Sequence, residues 1–343
     1  MTNEPLAFAD SHNDLLLACQ HRRERGIADP FGDDWLPGLR AGGVVFQVLP
    51  IFTEEQFIGE GALRRTLEII SLARDIASIH SSDVAIVESA ADIDRTIESG
   101  RIALLIALEG AEPIGSSISM FETMWRLGVR MASLTWNRRT MMADGVAETD
   151  TYGRLSSLGV EAIAEMERLG MVIDISHLSA PGVDHLAELA AGPFVATHSS
   201  CRALCDHPRN LTDGQIKAVA DSGGFVAVNA FGSFISKSEP TLADFIDHLE
   251  HVEQIAGPHR VAVGADFTED LFRQVDIALG RQLLVHLKDL TLIDNFKAPA
   301  DYAHLSAALI DRAGRERAEQ MASRNMLDFF RHRLPPASPS PSN

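Results

Sequence analysis

The sequence predicts a single α/β domain, a (β/α)8 TIM barrel, over residues 1–334. Three observations carry that prediction. Short apolar, β-rich runs alternate with amphipathic stretches from end to end, the pattern of βα units around a parallel sheet. No interdomain linker and no internal repeat divides the 343 residues, so one large barrel accounts for the length better than two domains do. The polar residues able to do chemistry gather at the C-terminal ends of the runs, where the βα loops of a barrel converge.

Taken in order, the eight barrel strands are LAFADSH (6–12), GGVVFQVLPIF (42–52), RIALLIALEG (101–110), VRMASLTW (129–136), GMVIDISH (170–177), GPFVATHS (192–199), GGFVAVNA (223–230) and HRVAVGADF (259–267). Their nearly continuous apolar character follows from burial on both faces, one by core layers and one by helices. Helical periodicity follows nearly every run, as in residues 60–80, 157–170, 179–192 and 212–224, and most of these stretches end near a glycine suited to a C-cap. VAIVE (84–88) is a ninth short run, read as an accessory strand.

Composition excludes several classes of function. Hydrophobic residues make up 45% and charged residues 23%, enough to bury a full core. The net charge of −18 repels phosphate backbones and anionic membrane surfaces, so neither nucleic acid nor a membrane is expected as a partner. Three cysteines, Cys19, Cys201 and Cys205, are too few for a disulfide framework. With no basic, apolar leader at the N-terminus and no run approaching a membrane span, a cytoplasmic location is expected. The segment PPASPSPSN (335–343) reads as a disordered tail unable to pack or pair its backbone.

The strand ends supply a constellation. In ADSHND, His12 and Asp14 lie two residues apart and point the same way in an extended segment, so both can face one cation. An isolated H-x-D is more often a polar turn. His177 and His198 end two consecutive strands, and neighbouring strands are about 4.8 Å apart, close enough for two imidazoles to share an ion. Glu109 follows the seven apolar strand residues 102–108; a carboxylate there is costly to desolvate without a cation, and its two oxygens can bridge two metals. Asp266 ends the last strand, where it can exchange protons with a metal-activated water. The geometry these residues predict is that of a binuclear hydrolase.

On these residues the chain resembles the membrane dipeptidases, also called renal or microsomal dipeptidases (peptidase family M19), among the amidohydrolase-like metallo-barrels. The resemblance covers nearly the whole chain through DSHNDLL, ALEGAE, LTWN followed by ADG, VIDISHLS, THSSCRALCDHPRNLTD and VAVGADF. It implies that His12 and Asp14 bind one zinc, His177 and His198 the other, and Glu109 bridges the two. It also implies that a metal-bridging hydroxide attacks the peptide bond, Asp266 shuttles the proton, and Arg209 binds the substrate carboxylate. Arg209 has an independent rationale, since a planar guanidinium clamps a carboxylate bidentately as lysine cannot. The implied function is a dizinc dipeptidase acting on small dipeptides, with other divalent ions possible and a homodimer the expected assembly. The alternatives are an amide or lactam hydrolase, or a biosynthetic enzyme acting on a modified dipeptide. A metal-free binding protein on the same barrel is opposed by the intact ligand set.

Three departures from the family pattern bear on substrate choice. Trp136 stands where many members carry histidine, Phe231 where some carry tyrosine, and GADFTED replaces the common GSDFDG. Trp136 and Phe231 are therefore read as substrate-binding positions. Elsewhere, Cys201, Cys205 and His207 lack a fourth zinc ligand and read as buried thiols beside a histidine. HLEHVE, with His248 and His251, reads as a solvated helix face, and neither a P-loop nor a G-x-S-x-G elbow is present.

Overall fold

The computed structural model describes residues 4–148, 150–268, 270–272 and 291–337. Nine parallel strands form one sheet: β1 (Phe8–Asp10), β2 (Val44–Phe52), β3 (Val84–Ile86), β4 (Ile102–Glu109), β5 (Val129–Ser133), β6 (Val172–Asp174), β7 (Phe194–Val195), β8 (Val226–Val228) and β9 (Val261–Val263). Eight of them run in the order β7-β6-β5-β4-β2-β1-β9-β8. The ring closes where Ala196, just past β7, bridges Val226 of β8, with Ala227 N–H donating to the Ala196 carbonyl at 2.8 Å. Among the described residues β3 pairs only with the base of β4, Val84 opposite Ile102, as an accessory strand should. Each of the eight expected runs contains one barrel strand, and the barrel is a (β/α)8 type.

Alternation along β4 divides the core. Leu104, Ile106 and Leu108 join the larger apolar cluster beneath the outer helices. Ala103, Leu105 and Ala107 join a second cluster with Ala9, Phe46, Val195 and Ala262. Phe330 of the helix Asn325–Arg333 seals that inner cluster, its ring 5.1 Å from Phe46. Because side chains two apart along a strand share a face, Glu109 continues the inward parity of residues 103, 105 and 107.

The strands are shorter than the apolar runs, and the shortening has a local cause. At the ends of β1 and β6, Asp10 and Asp174 turn their carboxylates back to accept N–H groups two residues on, from His12 at 3.1 Å and Ser176 at 3.0 Å. Side-chain acceptors of this kind end a ladder and start a turn. The first residues of the expected tail make backbone contacts. The carbonyls of Pro335 and Pro336 accept from Ala90 and Ala91 N–H at 2.8 and 3.2 Å, satisfying amides at the open end of the helix Ala90–Glu98. This part of the expected tail is therefore paired; residues 338–343 lie outside the described residues.

Gly264, directly after β9, is required by close approach. A Cβ there would lie 1.8 Å from the Thr197 carbonyl oxygen and 2.7 Å from Ser11 Oγ. Gly264→Ala should therefore lower unfolding stability by about 1–3 kcal/mol through overpacking at the barrel seam, read as a shift of the urea midpoint at unchanged slope. A wild-type midpoint would show that the seam has slack.

Candidate metal centre

Two similar turns aim the site residues. Asp10 Oδ1 accepts from Ala265 N–H at 3.2 Å as well as from His12, linking the end of β1 to the end of β9. Asp174 Oδ1 likewise accepts from Thr197 N–H at 3.0 Å, linking β6 to β7. Neither aspartate is singled out by the sequence reading; the available signal was the repeat of Asp as the last strand residue before a polar turn, in ADSH and IDIS.

Beyond these turns, His177 and Asp266 both occupy left-handed backbone, at φ 66° and 55°. That conformation costs a non-glycine residue about 1–3 kcal/mol and persists only where the surroundings enforce it. Asp266 is held by its N–H bond to the His12 carbonyl at 3.0 Å. His177 is held from the ADG segment: Val146 N–H donates to the His177 carbonyl at 2.9 Å, and Asn137 Oδ1 lies 2.6 Å from its Nδ1. Gly145 permits that strap, since a Cβ there would stand 2.2 Å from the Trp136 carbonyl oxygen.

The side chains so aimed converge. Glu109 Oε1 lies 3.0 Å from His177 Nε2, 3.5 Å from His198 Nε2 and 3.5 Å from His12 Nε2. The two imidazole nitrogens of His177 and His198 face each other at 2.8 Å, and the His12 and His198 rings lie 3.6 Å apart between centroids. Two triplets have ligand atoms all within 4.8 Å of one another: His12, Glu109 and His198, and His12, Asp14 and Asp266. The structure thus gathers all five expected ligands with Asp266, and His12 belongs to both triplets.

Such a cluster is electrostatically incomplete without added positive charge. Burial, reinforced by mutual repulsion, pushes the carboxyls of Asp14 and Glu109 well above their usual range. Asp266 rises to about 6 on burial, partly opposed by Arg209. Burial and then the Arg209 charge pull His12 down to about 3, and His177 and His198 also fall well below normal. Uncharged imidazoles and carboxylates converging on one space are the donor set of a divalent transition metal. His12 Nε2 and Asp14 Oδ1 are buried with no hydrogen-bond partner, as free ligand atoms should be. The residues fit a metal.

Arg209 adjoins this cluster, 5% exposed, over the Phe234 ring at 5.6 Å. Its Nη1 donates to Ser199 Oγ at 3.2 Å and its Nη2 to the His198 carbonyl at 3.0 Å, while Nε has no partner. Asn229, overlooked in the sequence although it ends the VAV run, donates Nδ2–H to Asp266 Oδ2 at 3.0 Å and accepts Phe231 N–H at 2.6 Å. Phe231 itself packs its ring 4.8 Å from Phe234. Trp136 is half-buried, its ring 4.8 Å from Phe52 and 5.8 Å from His177, so it walls the side of the site next to His177.

Outside the cluster, Cys201 and Cys205 are buried free thiols. The reading of HLEHVE as a solvated face is corrected for His248, which is 1% exposed. It accepts Cys201 N–H at Nδ1, 2.9 Å, and donates from Nε2 to the Ile235 carbonyl at 3.0 Å. Phe245, Leu249 and Val252 are buried on the same helix, and position 248 falls in their i, i+3, i+4, i+7 stripe.

A parallel barrel with buried histidines and carboxylates converging at its C-terminal mouth defines a metallohydrolase-type protein. The chain matches the family model described as membrane dipeptidase (peptidase family M19) over residues 3–286, and it belongs to that family of metal-dependent peptide hydrolases. It is 30% identical over 207 residues to the dipeptidase verJ of Clonostachys rogersoniana, covering 60% of this chain and 53% of that protein. It is 31% identical over 285 residues to an uncharacterized dipeptidase of Schizosaccharomyces pombe, covering 76% and 68%. The chain therefore spans about half of the first relative and two thirds of the second. The fold is shared with a metallo peptidase from Rhodobacter sphaeroides whose crystal structure holds a phosphinate mimic of the dipeptide L-Ala-D-Ala. The TM-score is 0.83 at 22% identity, over 96% of this chain and 100% of that one. Among the described residues no helix is long and apolar enough to cross a membrane.

If the cluster is completed by cations, they should stabilise the fold. Adding zinc or manganese to chelator-treated protein should raise its thermal midpoint, with a gain of about 2.7 kcal/mol once free metal reaches a hundred times its dissociation constant. A midpoint indifferent to both ions would count against the centre.

Proposed function

We propose that this protein hydrolyses the single peptide bond of small dipeptides bearing a free C-terminal carboxylate, using two divalent cations, zinc first among them. The observation that carries the reading is the convergence of three imidazoles and two carboxylates around Glu109 with a buried arginine alongside. His12 with Asp14, and His177 with His198, would be the ligand pairs for such ions, with Glu109 contributing to both, and the ions would supply Lewis acidity toward the scissile carbonyl and an attacking water.

The chain's own groups do the rest. Arg209 keeps N–H donors for a substrate carboxylate after its two bonds to Ser199 and the His198 carbonyl, and burial strengthens such a charge-assisted pair. Asp266 has one oxygen held by Asn229, while Oδ1 lies 4.0 Å from His12 Nε2. That oxygen takes the proton from the attacking water and passes it to the departing amine. Trp136 and Phe52 bound the pocket on the His177 side. An indole offers one N–H and carries no charge, so this wall selects by shape and narrows the set of dipeptides accepted. Its presence in place of histidine also favours, as a second reading, a modified dipeptide or a lactam as substrate.

Metal analysis and a panel of L,L and L,D dipeptides test the proposal together. The expected result is two ions per chain and turnover of some free-acid dipeptides, with Glu109→Ala disturbing both ions and Asp266→Asn losing about 10²-fold or more in kcat while remaining loaded. One tightly bound ion, with activity unaffected by Glu109→Ala, would sink the binuclear reading.

Recognition is separable from chemistry. Arg209→Met should lower kcat/KM by about 10²-fold or more on free-acid dipeptides and should change little on amidated ones, already poor substrates for the wild type. Equal turnover of acid and amide by the wild type would remove Arg209 from carboxylate recognition.

A further inference from the structure

Behind His198 runs a chain of hydrogen bonds that the reaction as proposed does not use. Thr197 Oγ1 stands between two partners, Asp174 Oδ2 at 2.6 Å and His198 Nδ1 at 2.8 Å, with Ser176 Oγ a more distant 3.3 Å away. All four residues are buried, and His198 and Thr197 are completely so. A threonine hydroxyl has a single proton to give. Ionised Asp174 can only accept, so the hydroxyl proton goes to its Oδ2, and Oγ1 must then accept from His198 Nδ1. Burial holds the Asp174 carboxyl above its ordinary range, only partly offset by bonds from the Thr197 hydroxyl and from the Ser176 and Thr197 amides, so the relay holds for the ionised form, at a pH well above the carboxylate range.

We propose that Asp174 and Thr197 are positioning residues that set the tautomer of His198, holding its proton on Nδ1 so that Nε2 is left bare toward Glu109, His12 and His177. This rests on the reading of His198 as a metal ligand for its consequence, but the tautomer itself is a property of the metal-free chain, where the relay competes with the 2.8 Å approach of His177 Nε2 to His198 Nε2. The direction of the relay matters more than its existence. A carboxylate at its head orients every donor toward Asp174 and away from Nε2. A carboxamide at its head could instead present an N–H to Thr197, turning the hydroxyl toward Nδ1 and moving the ring proton to Nε2, the nitrogen that faces the metal space. His177 provides an internal contrast, because its Nδ1 meets a neutral amide oxygen, Asn137 Oδ1, at 2.6 Å. His198 thus differs from His177 in having its ligand nitrogen backed by a carboxylate, through one hydroxyl. Outer partners of metal-binding histidines typically change metal affinity by about 10- to 100-fold when removed.

The direct test is 15N NMR of imidazole-labelled, metal-free protein at pH 8, read at His198. The proposal requires the Nδ1–H tautomer in the wild type and in Thr197→Ser, a mixed population in Thr197→Val, and a shift toward Nε2–H in Asp174→Asn. Zinc competition against a chelator should then place Thr197→Ser near the wild type, Thr197→Val about 10- to 100-fold weaker, and Asp174→Asn at least as weak as Thr197→Val. An Nε2–H tautomer at His198 in the wild type overturns the proposal without requiring any variant to fold. Wild-type tautomer and zinc affinity in both Thr197→Val and Asp174→Asn also overturn it. Failure of the wild type to bind zinc, with the Nδ1–H tautomer intact, would instead count against the metal reading of the site.

Discussion

The structure is organised around a concentration of negative charge and lone pairs largely withdrawn from bulk solvent. Asp14, Glu109 and Asp174 are all buried, as are His12, His177 and His198, and Arg209 is a buried cation in electrostatic contact with Glu109, Asp174 and the three histidines. In a low-dielectric interior such groups repel one another strongly, and each is costly to desolvate. A fold can hold them together only if cations complete the set or the groups neutralise. The raised carboxyls and lowered imidazoles express the second outcome in the chain taken alone, and metal binding would reverse it.

Much of the surrounding architecture resists that repulsion by over-determining where each group sits. Asp10 and Asp174 each tie two strand ends together through backbone amides, so the turns carrying His12 and His198 cannot move independently of their neighbours. Left-handed backbone at His177 and Asp266 is tolerated because separate bonds grip each from outside. The Gly145 and Gly264 contacts leave no room for even a methyl group. Rigidity here serves function: a site that must present ligand atoms to an ion gains from having its entropy cost met in folding rather than at binding.

Some of the misreadings have the same root. His248 looked like a surface residue because a helix flanked by acids can present either face. Only packing of Leu242–Ala256 beside the segment after β7 decides that position 248 faces Cys201. Asp10, Asp174 and Asn229 escaped notice because their partners lie on other strands: Ala265 for Asp10, Thr197 for Asp174, Asp266 for Asn229. Pro335 and Pro336 lack N–H groups, but their carbonyls remain good acceptors, and two helix-start amides happen to meet them.

By itself the sequence determined the barrel and the kinds of atom at its mouth. Alternating apolar runs and helical stretches admit few other folds, and polar residues at run ends, His12, Glu109, His177, His198 and Asp266, are expensive there unless used. What tertiary structure alone decided is how those atoms meet: that His177 and His198 face each other at 2.8 Å, that His12 serves two triplets, and that a carboxylate on β6 reaches His198 through a hydroxyl. The reason is geometric. Side-chain type and spacing along one strand are local and follow from chain covalency, whereas the distance and hydrogen-bond direction between β1, β4, β6 and β7 exist only once the sheet has closed into a ring.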